Sequence, residues 1–273
     1  MPAWTNDDEA DWVQRHTTDV PVAVKDFLAG DGLCLEGKAV ADIGNGDGLI
    51  DWGVATALKP RELVGFDLES SDVPELLRRL RTQGLAQDGL PPGLRFKACT
   101  PDRIPARDDS FDAVISWSAF EHIHDPVATI REVRRILRRD GIFFLQTYPF
   151  FLSEHGSHLE EWYPRGFAHQ DPFDAIATKV SPQFAKNREL HPPQVGHARH
   201  GNKQPGDAMI WDYLNLNRIR LDELHRALLQ GGFWVSKVEA MAPAIHLPRN
   251  QNFRSLSEVL IAGIKLIAVP SDR

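Results

Sequence analysis

Short apolar runs alternate with longer stretches in which apolar residues recur every third or fourth position, from residue 39 to residue 147. The runs read as buried strands and the stretches as amphipathic helices packed on them. Strands are predicted at 39–43, 63–67, 94–98, 111–116 and 142–147, with helices at 49–58 and 74–80 between them. A third helix begins at Pro126, carries Val127, Ile130, Val133 and Leu137 on one face, and is predicted to end at Gly141. Asp72 and Asp125 are candidate caps of the second and third helices, each followed closely by a proline suited to a first turn. Such alternation predicts an α/β fold with a mostly parallel sheet.

The rhythm fails between residues 148 and 212, where prolines, aromatics and histidines crowd together without a sustained period. Eight of the eleven histidines lie between His122 and His200. An insertion of that length inside a compact domain is usually a lid or a binding loop. The pattern then resumes as a helix at 221–229 closed by Gly231 and Gly232, a strand at 233–239, a short helix at 256–261 and a last strand at 263–269. Ahead of the first strand, residues 4–29 carry Trp12, Val13, Val20, Val24, Phe27 and Leu28 and are predicted as two short helices separated at Pro21. Trp12 and His16 lie one turn apart there, facing either the core, the favoured reading, or a bound ligand.

A chain of 273 residues with this pattern is one large domain or a domain with an insertion. Its net charge of -7 argues against nonspecific nucleic-acid binding. Arg131, Arg134, Arg135, Arg138 and Arg139 fall on a helix whose buried side is already fixed, so they read as a solvated face. Cys34 and Cys99 cannot build a disulfide framework or a CxxC metal site, which favours a cytoplasmic setting. No run is long and apolar enough for membrane insertion, and the acidic N-terminus does not read as a secretory signal.

Chemistry enters at the end of the first strand, where Gly44, Gly46 and Gly48 follow Asp42 and Ile43 and a helix follows at once. Glycines at a strand's carboxyl end let a ligand approach the backbone, and ligands of open α/β sheets sit there. A dinucleotide is disfavoured because Leu49 stands where the fingerprint needs its third small residue. No lysine follows for a phosphate, and Asp42 and Asp47 would repel a pyrophosphate, so a cationic ligand suits the loop better. Asp67 ends the second strand, 25 residues after Asp42, and is placed to accept hydrogen bonds from both hydroxyls of a ribose.

The segment Asp42-Ile43-Gly44-Asn45-Gly46-Asp47-Gly48 resembles motif I of the class I S-adenosylmethionine (SAM)-dependent methyltransferases. Ser110-Phe111-Asp112-Ala113-Val114 with Phe120-Glu121-His122-Ile123 is similar to the signature after the cofactor site in small-molecule, type 11-like members. The resemblance implies a Rossmann-like, seven-stranded, mostly parallel sheet with helices on both faces, a last strand running antiparallel, and a substrate-binding insert. It implies SAM as cofactor, with Asp42, Gly44, Asn45, Gly46 and Gly48 around the methionine portion and Asp67 with Leu68 at the ribose. Thr100, Pro101 and Asp102 would lie at the adenine, and the main chain of Ser116 behind the sulfonium. The organisation expected is a helical flap at 1–36, a SAM-binding core at 37–147, the insert at 148–212 and a completion of the sheet at 213–273.

His122 is the expected general base, because it follows the fourth strand and imidazole titrates near neutrality. A histidine in this Glu-His pair often only packs under the site, the alternative role. Gly156-Ser157-His158-Leu159 with Phe167-Ala168-His169 resembles a pattern in a bacterial branch of the family. With residues 148–212 read as the substrate-recognition insert, Trp117, His155, His158, Trp162 and His169 are expected at the methyl acceptor, His155, His158 and His169 being rival bases. His155 and His158 share a three-residue metal spacing, as do His197 and His200, but the sequence places no matching acid and no metal is expected. The expected function is methyl transfer to a small molecule, foremost to oxygen of a hydroxylated metabolite, sugar or lipid-linked glycan. Alternatives are transfer to nitrogen or carbon, retention of SAM without catalysis, and an NAD-linked oxidoreductase.

Overall fold

A computed structural model describes residues 6–100, 102–190, 206–247 and 253–271. Its sheet consists of β1 (Ala39–Ile43), β2 (Glu62–Asp67), β3 (Leu94–Ala98), β4 (Phe111–Trp117), β5 (Leu137–Thr147), β6 (Phe233–Met241) and β7 (Gly263–Pro270). The order across it is β3-β2-β1-β4-β5-β7-β6. Neighbours among the first five strands run parallel, and β7 is antiparallel to both β5 and β6. The seven-stranded expectation holds.

Side chains alternate across the pleat and so feed two apolar layers. Ala39, Ala41, Phe143 and Leu145 point to one layer, where they meet Ile130, Val133 and Ile136 of α5 (Pro126–Ile136) and Leu224 and Leu228 of α9 (Leu221–Gln230). Val40 and Phe144 point to the other, against α2 (Val20–Ala29), α3 (Leu49–Leu58) and α4 (Val73–Thr82). The predicted caps form: Asp72 accepts from the backbone N–H of Glu75 at 3.1 Å and Asp125 from that of Ala128 at 2.9 Å.

Four expectations need correction. The helix after Pro126 stops at Ile136, and Leu137 already lies in β5 opposite Phe111. Gly141 sits inside that strand beside a register shift, where a Cβ would meet the carbonyl oxygen of Asp112 at 2.9 Å and a Leu137 methyl at 2.6 Å. At the N-terminus, α1 (Asn6–Gln14) continues through a π-turn at Arg15–Asp19 into α2. Pro21 falls in the first turn of α2, where its missing N–H costs little, and the helical path runs on through it.

The insert is the third correction, because it is helical. It holds α6 (Phe173–Val180), α7 (Pro182–Asn187) and α8 (Gly206–Asn215), and α8 runs past residue 212. Phe151, Leu159, Ile176, Phe184, Ile210 and Tyr213 close a separate small core there. Helices of two or three turns display too few repeats to be read as periodic. The helix expected at 256–261 shrinks to α10 (Ser257–Leu260). Among the described residues, no helix is long and apolar enough to cross a membrane.

Candidate functional site

The carboxyl ends of β1, β2 and β4 converge on one edge of the sheet. Gly44, Gly46 and Gly48 all have positive φ, at 79°, 55° and 79°, which only glycine adopts without strain. A Cβ on Gly44 would lie 2.4 Å from that of Ala119, so the loop after β1 touches the segment after β4. Among the described residues, nothing lies within 4 Å of where a Cβ on Gly46 would stand, leaving that stretch of backbone open to a ligand.

Asp67 faces the loop from the end of β2. Its carboxylate accepts the N–H of Gly46 at 2.9 Å and of Leu68 at 2.7 Å. A carboxylate offers about four acceptor positions, so two remain for a vicinal diol. Leu68 itself is exposed.

Asp42 is buried in β1 beside Asp51 of α3, also fully buried. Burial, reinforced by the charge of Asp67, pushes Asp42 up to about 7. Burial and the nearness of Asp42 raise Asp51 well above the carboxylate range. The two side chains are hydrogen-bonded when one keeps a proton. Asn45 turns inward, donating to the Ser71 hydroxyl at 2.6 Å and lying over Gly65, so only its main chain is left for a ligand.

Asp47 is tied elsewhere. One of its oxygens takes Arg79 at 2.6 Å and the Trp12 indole N–H at 3.4 Å, and Arg79 also binds Glu9 of α1 at 2.6 Å. Trp12 stacks on His16 at 4.0 Å and packs partly buried on the core, the favoured placement, while its N–H reaches the glycine loop. Arg79 is almost fully buried and its two carboxylates are about a quarter exposed. Arg79→Ala is therefore expected to cost ~2 kcal/mol, below the range for a fully buried pair because solvent screens the carboxylates. Urea unfolding of the variant measures it.

The remaining cofactor candidates are unequal. Thr100 and Asp102 are exposed and bonded to one another, hydroxyl to carboxylate, at 2.8 Å. Pro101 lies outside the described residues. Ser116 is fully buried and donates its hydroxyl to the Ile43 carbonyl at 2.8 Å, so its side chain joins β1 to β4.

Beyond β4, Trp117 stacks at 6.1 Å on Phe144, on the core face that Phe27 of α2 also covers. That makes it a core ring more than an acceptor contact. The turn after it is fixed from outside. The Gln146 side-chain oxygen accepts the backbone N–H and the hydroxyl of Ser118, both at 2.8 Å, and Asn217 donates to the Ile123 carbonyl at 2.8 Å. Glu121 is buried, accepts the Thr147 hydroxyl at 2.9 Å, and is pushed up to about 8 by burial.

Of the insert's histidines, His158 comes to this turn, its ring 5.0 Å from that of His122. His155 instead lies 3.6 Å from Glu154. His169 is wedged against Phe151 and Phe167, and burial, helped by Arg218, pushes it down to about 4. Trp162 packs on the insert's own core. His197 and His200 lie outside the described residues. Glu121, Thr147, Gln146 and Asn217 were not singled out by sequence; only the Glu121-His122 pair carried a signal.

The sheet order, the glycine loop and the acid ending β2 define a nucleoside-binding α/β domain. Residues 41–145 match the family described as "Methyltransferase domain". The matched segment is a methyltransferase domain of the class I SAM-dependent kind, with SAM as the implied cofactor. It is 31% identical over 165 residues to a ubiquinone biosynthesis O-methyltransferase of Xanthomonas oryzae pv. oryzae, covering 58% of this chain and 64% of that protein. With the Parvibaculum lavamentivorans protein of the same name it shares 27% over 131 residues, 46% of this chain and 48% of the other. It thus spans less than two thirds of these relatives. Bacillus subtilis YcgJ has the same fold at a TM-score of 0.52 and 15% identity, covering 93% of this chain and 99% of that one. A SAM-dependent methyltransferase from Methanosarcina mazei does so at 0.51 and 18%, covering 90% and 97%.

The residues present suit SAM. Open backbone at Gly46, two acceptor positions on Asp67, and negative charge shared by Asp42 and Asp67 match a ligand with a ribose diol, an ammonium and a sulfonium.

Proposed function

We propose that the protein transfers the methyl group of SAM to an oxygen of a small hydroxylated acceptor, such as a metabolite, sugar or lipid-linked glycan. The observation that carries this is the polar turn after β4, where His122 and Glu121 adjoin the glycine loop through Ala119 and receive His158 from the insert. The O-methyltransferase names of the relatives support oxygen as the acceptor atom. The fold alone does not decide it, since the [4+2]-cyclase SpnF shares it at a TM-score of 0.51 and 14% identity, covering 92% of this chain and 81% of that one.

When bound, SAM supplies an electrophilic methyl carbon. Asp67 would hold the ribose diol and the backbone at Gly46 the methionine portion, with Asp42 near its ammonium. Thr100 and Asp102 would border the adenine, and the Ser116 main chain the sulfonium. His122 would meet the acceptor hydroxyl and take up or steer its proton. The unit at 148–212, extended to the end of α8, binds the acceptor, with His155, His158, Trp162 and His169 as its polar and aromatic groups. Of the flap proposed at 1–36, the described helices α1 and α2 cover the loop, anchored through Trp12 and Arg79. Two free cysteines and a net charge of -7 favour a cytoplasmic enzyme with no nucleic-acid partner.

The test is transfer of labelled methyl from SAM to a panel of hydroxylated acceptors. His122→Ala is expected to lower turnover at saturating SAM at least ~10-fold, the low end for losing a positioned proton acceptor, with S-adenosylhomocysteine affinity unchanged. Unchanged turnover would remove His122 from the reaction.

A further inference from the structure

We infer that Glu121, His122 and His158 form a binding site for a single borderline divalent transition ion of the Zn²⁺ type. One ligand atom from each residue lies within 4.8 Å of the other two. The pair His155 and His158, matched by spacing in the sequence, does not make this site. The acid and one imidazole come from the turn after β4, and the second imidazole comes from the insert.

The donors are chemically apt. Two imidazoles with one carboxylate suit Zn²⁺, Co²⁺ or Fe²⁺, whereas Mg²⁺ and Ca²⁺ prefer oxygen alone. Tetrahedral ligands at about 2.1 Å from such an ion stand roughly 3.4 Å apart, so side-chain rotation must close the widest separation by up to about 1.4 Å. Three protein ligands also leave a position for water or an acceptor oxygen.

Glu121 and its surroundings are the second line of argument. Among the described residues its Oε1 is buried with no hydrogen-bond donor, while Oε2 is held by the Thr147 hydroxyl. A buried, oriented carboxylate oxygen that no described group satisfies is costly unless something cationic meets it. The Thr147 contact is the kind of outer support that orients a ligating carboxylate. His158 is likewise held: its φ is 57°, its N–H donates to the His155 carbonyl at 3.0 Å, and it is 6% exposed. His122 is half-buried, giving the group an approach from outside. A small pocket lined by Glu121, Phe150, Phe151, Gly156, Asn217 and Arg218 adjoins it.

The ion's use in catalysis rests on the proposed methyl transfer; its binding does not. An acceptor hydroxyl on the open position would be acidified and release its proton to solvent. The oxygen then forms the bond to the methyl carbon as the carbon–sulfur bond breaks, its electron pair passing to sulfur. His122 in that case serves as a ligand, and the ion takes over the role otherwise assigned to a base.

Chelator-stripped protein titrated with Co²⁺ tests the site by visible absorption and calorimetry. One Co²⁺ per chain is expected, with the intense bands of a low-coordinate site. Affinity should fall at least ~10-fold in both His158→Ala and Glu121→Gln, and remain at the wild-type level in His225→Ala, on the exposed face of α9. Circular dichroism establishes that each variant is folded, and Glu121→Gln, which preserves shape, decides the matter if His158→Ala is not. Wild-type protein that takes up no Co²⁺, or folded variants that bind it unchanged, would overturn the inference. S-adenosylhomocysteine titrated into the same samples separates the two readings: binding without Co²⁺ uptake overturns only the ion site, and Co²⁺ uptake without binding overturns only the cofactor reading.

Discussion

Asp67→Asn is expected to weaken S-adenosylhomocysteine binding about 100-fold while leaving the melting temperature nearly unchanged. The wild-type carboxylate keeps two acceptor positions after satisfying Gly46 and Leu68. Hydrogen bonds to a charged group contribute roughly 1.5–3 kcal/mol each, and the amide loses both the charge and one acceptor oxygen. A loss of about 2.7 kcal/mol corresponds to two decades in Kd. The amide oxygen can still accept the Gly46 N–H, so the loop stays closed against β2. Isothermal titration of wild type and variant, paired with thermal melts, measures both halves. Undiminished binding would mean that the ribose is held elsewhere, and the placement of the nucleoside along β2 would fall.

What was legible in the chain is what short-range chemistry fixes. The glycine loop could be read because φ above zero and close contact with Ala119 demand glycine at particular positions. Asp72 and Asp125 could be read because a cap reaches only its own first turn. The end of α5 could not. Leu137 continues the helical stripe in sequence, yet it also fits the buried face of β5, and pairing with Phe111 decides between them. The insert was opaque for a related reason, its helices being short and stabilised by Phe151, Leu159 and Tyr213 from separate stretches. The meeting of His158 with Glu121 is a tertiary event 37 residues apart, and the nearer His155-His158 spacing pointed the wrong way. Asp51 was invisible as well, since an acid on a helix reads as solvated until the fold buries it under β1.

That buried acid sets the second large effect. The ligand-free protein is expected to lose stability as pH rises from about 4 to about 8, and Asp51→Asn is expected to flatten the decline and add ~2 kcal/mol at pH 8. Asp42 moves from an ordinary value of 3.8 to about 7 on folding, with Asp51 displaced in the same direction. Between those values the folded state holds protons that the unfolded chain has released. Stability then falls with pH, by up to ~1.4 kcal/mol per unit for each extra proton held. The contribution is fully present below the unfolded value and gone once pH has passed the folded one. An asparagine at 51 keeps the hydrogen bond to Asp42 without needing a shared proton, and lets Asp42 ionise against less repulsion. Urea unfolding at pH 5, 6.5 and 8 would reveal the slope, and equal stability at all three in the wild type would contradict the buried pair. The same linkage reaches the cofactor. A ligand ammonium beside Asp42 does electrostatically what the proton does, so cofactor binding near neutrality should expel a proton. Calorimetry in buffers of different ionisation enthalpy would detect that release in the wild type and a smaller one in Asp51→Asn.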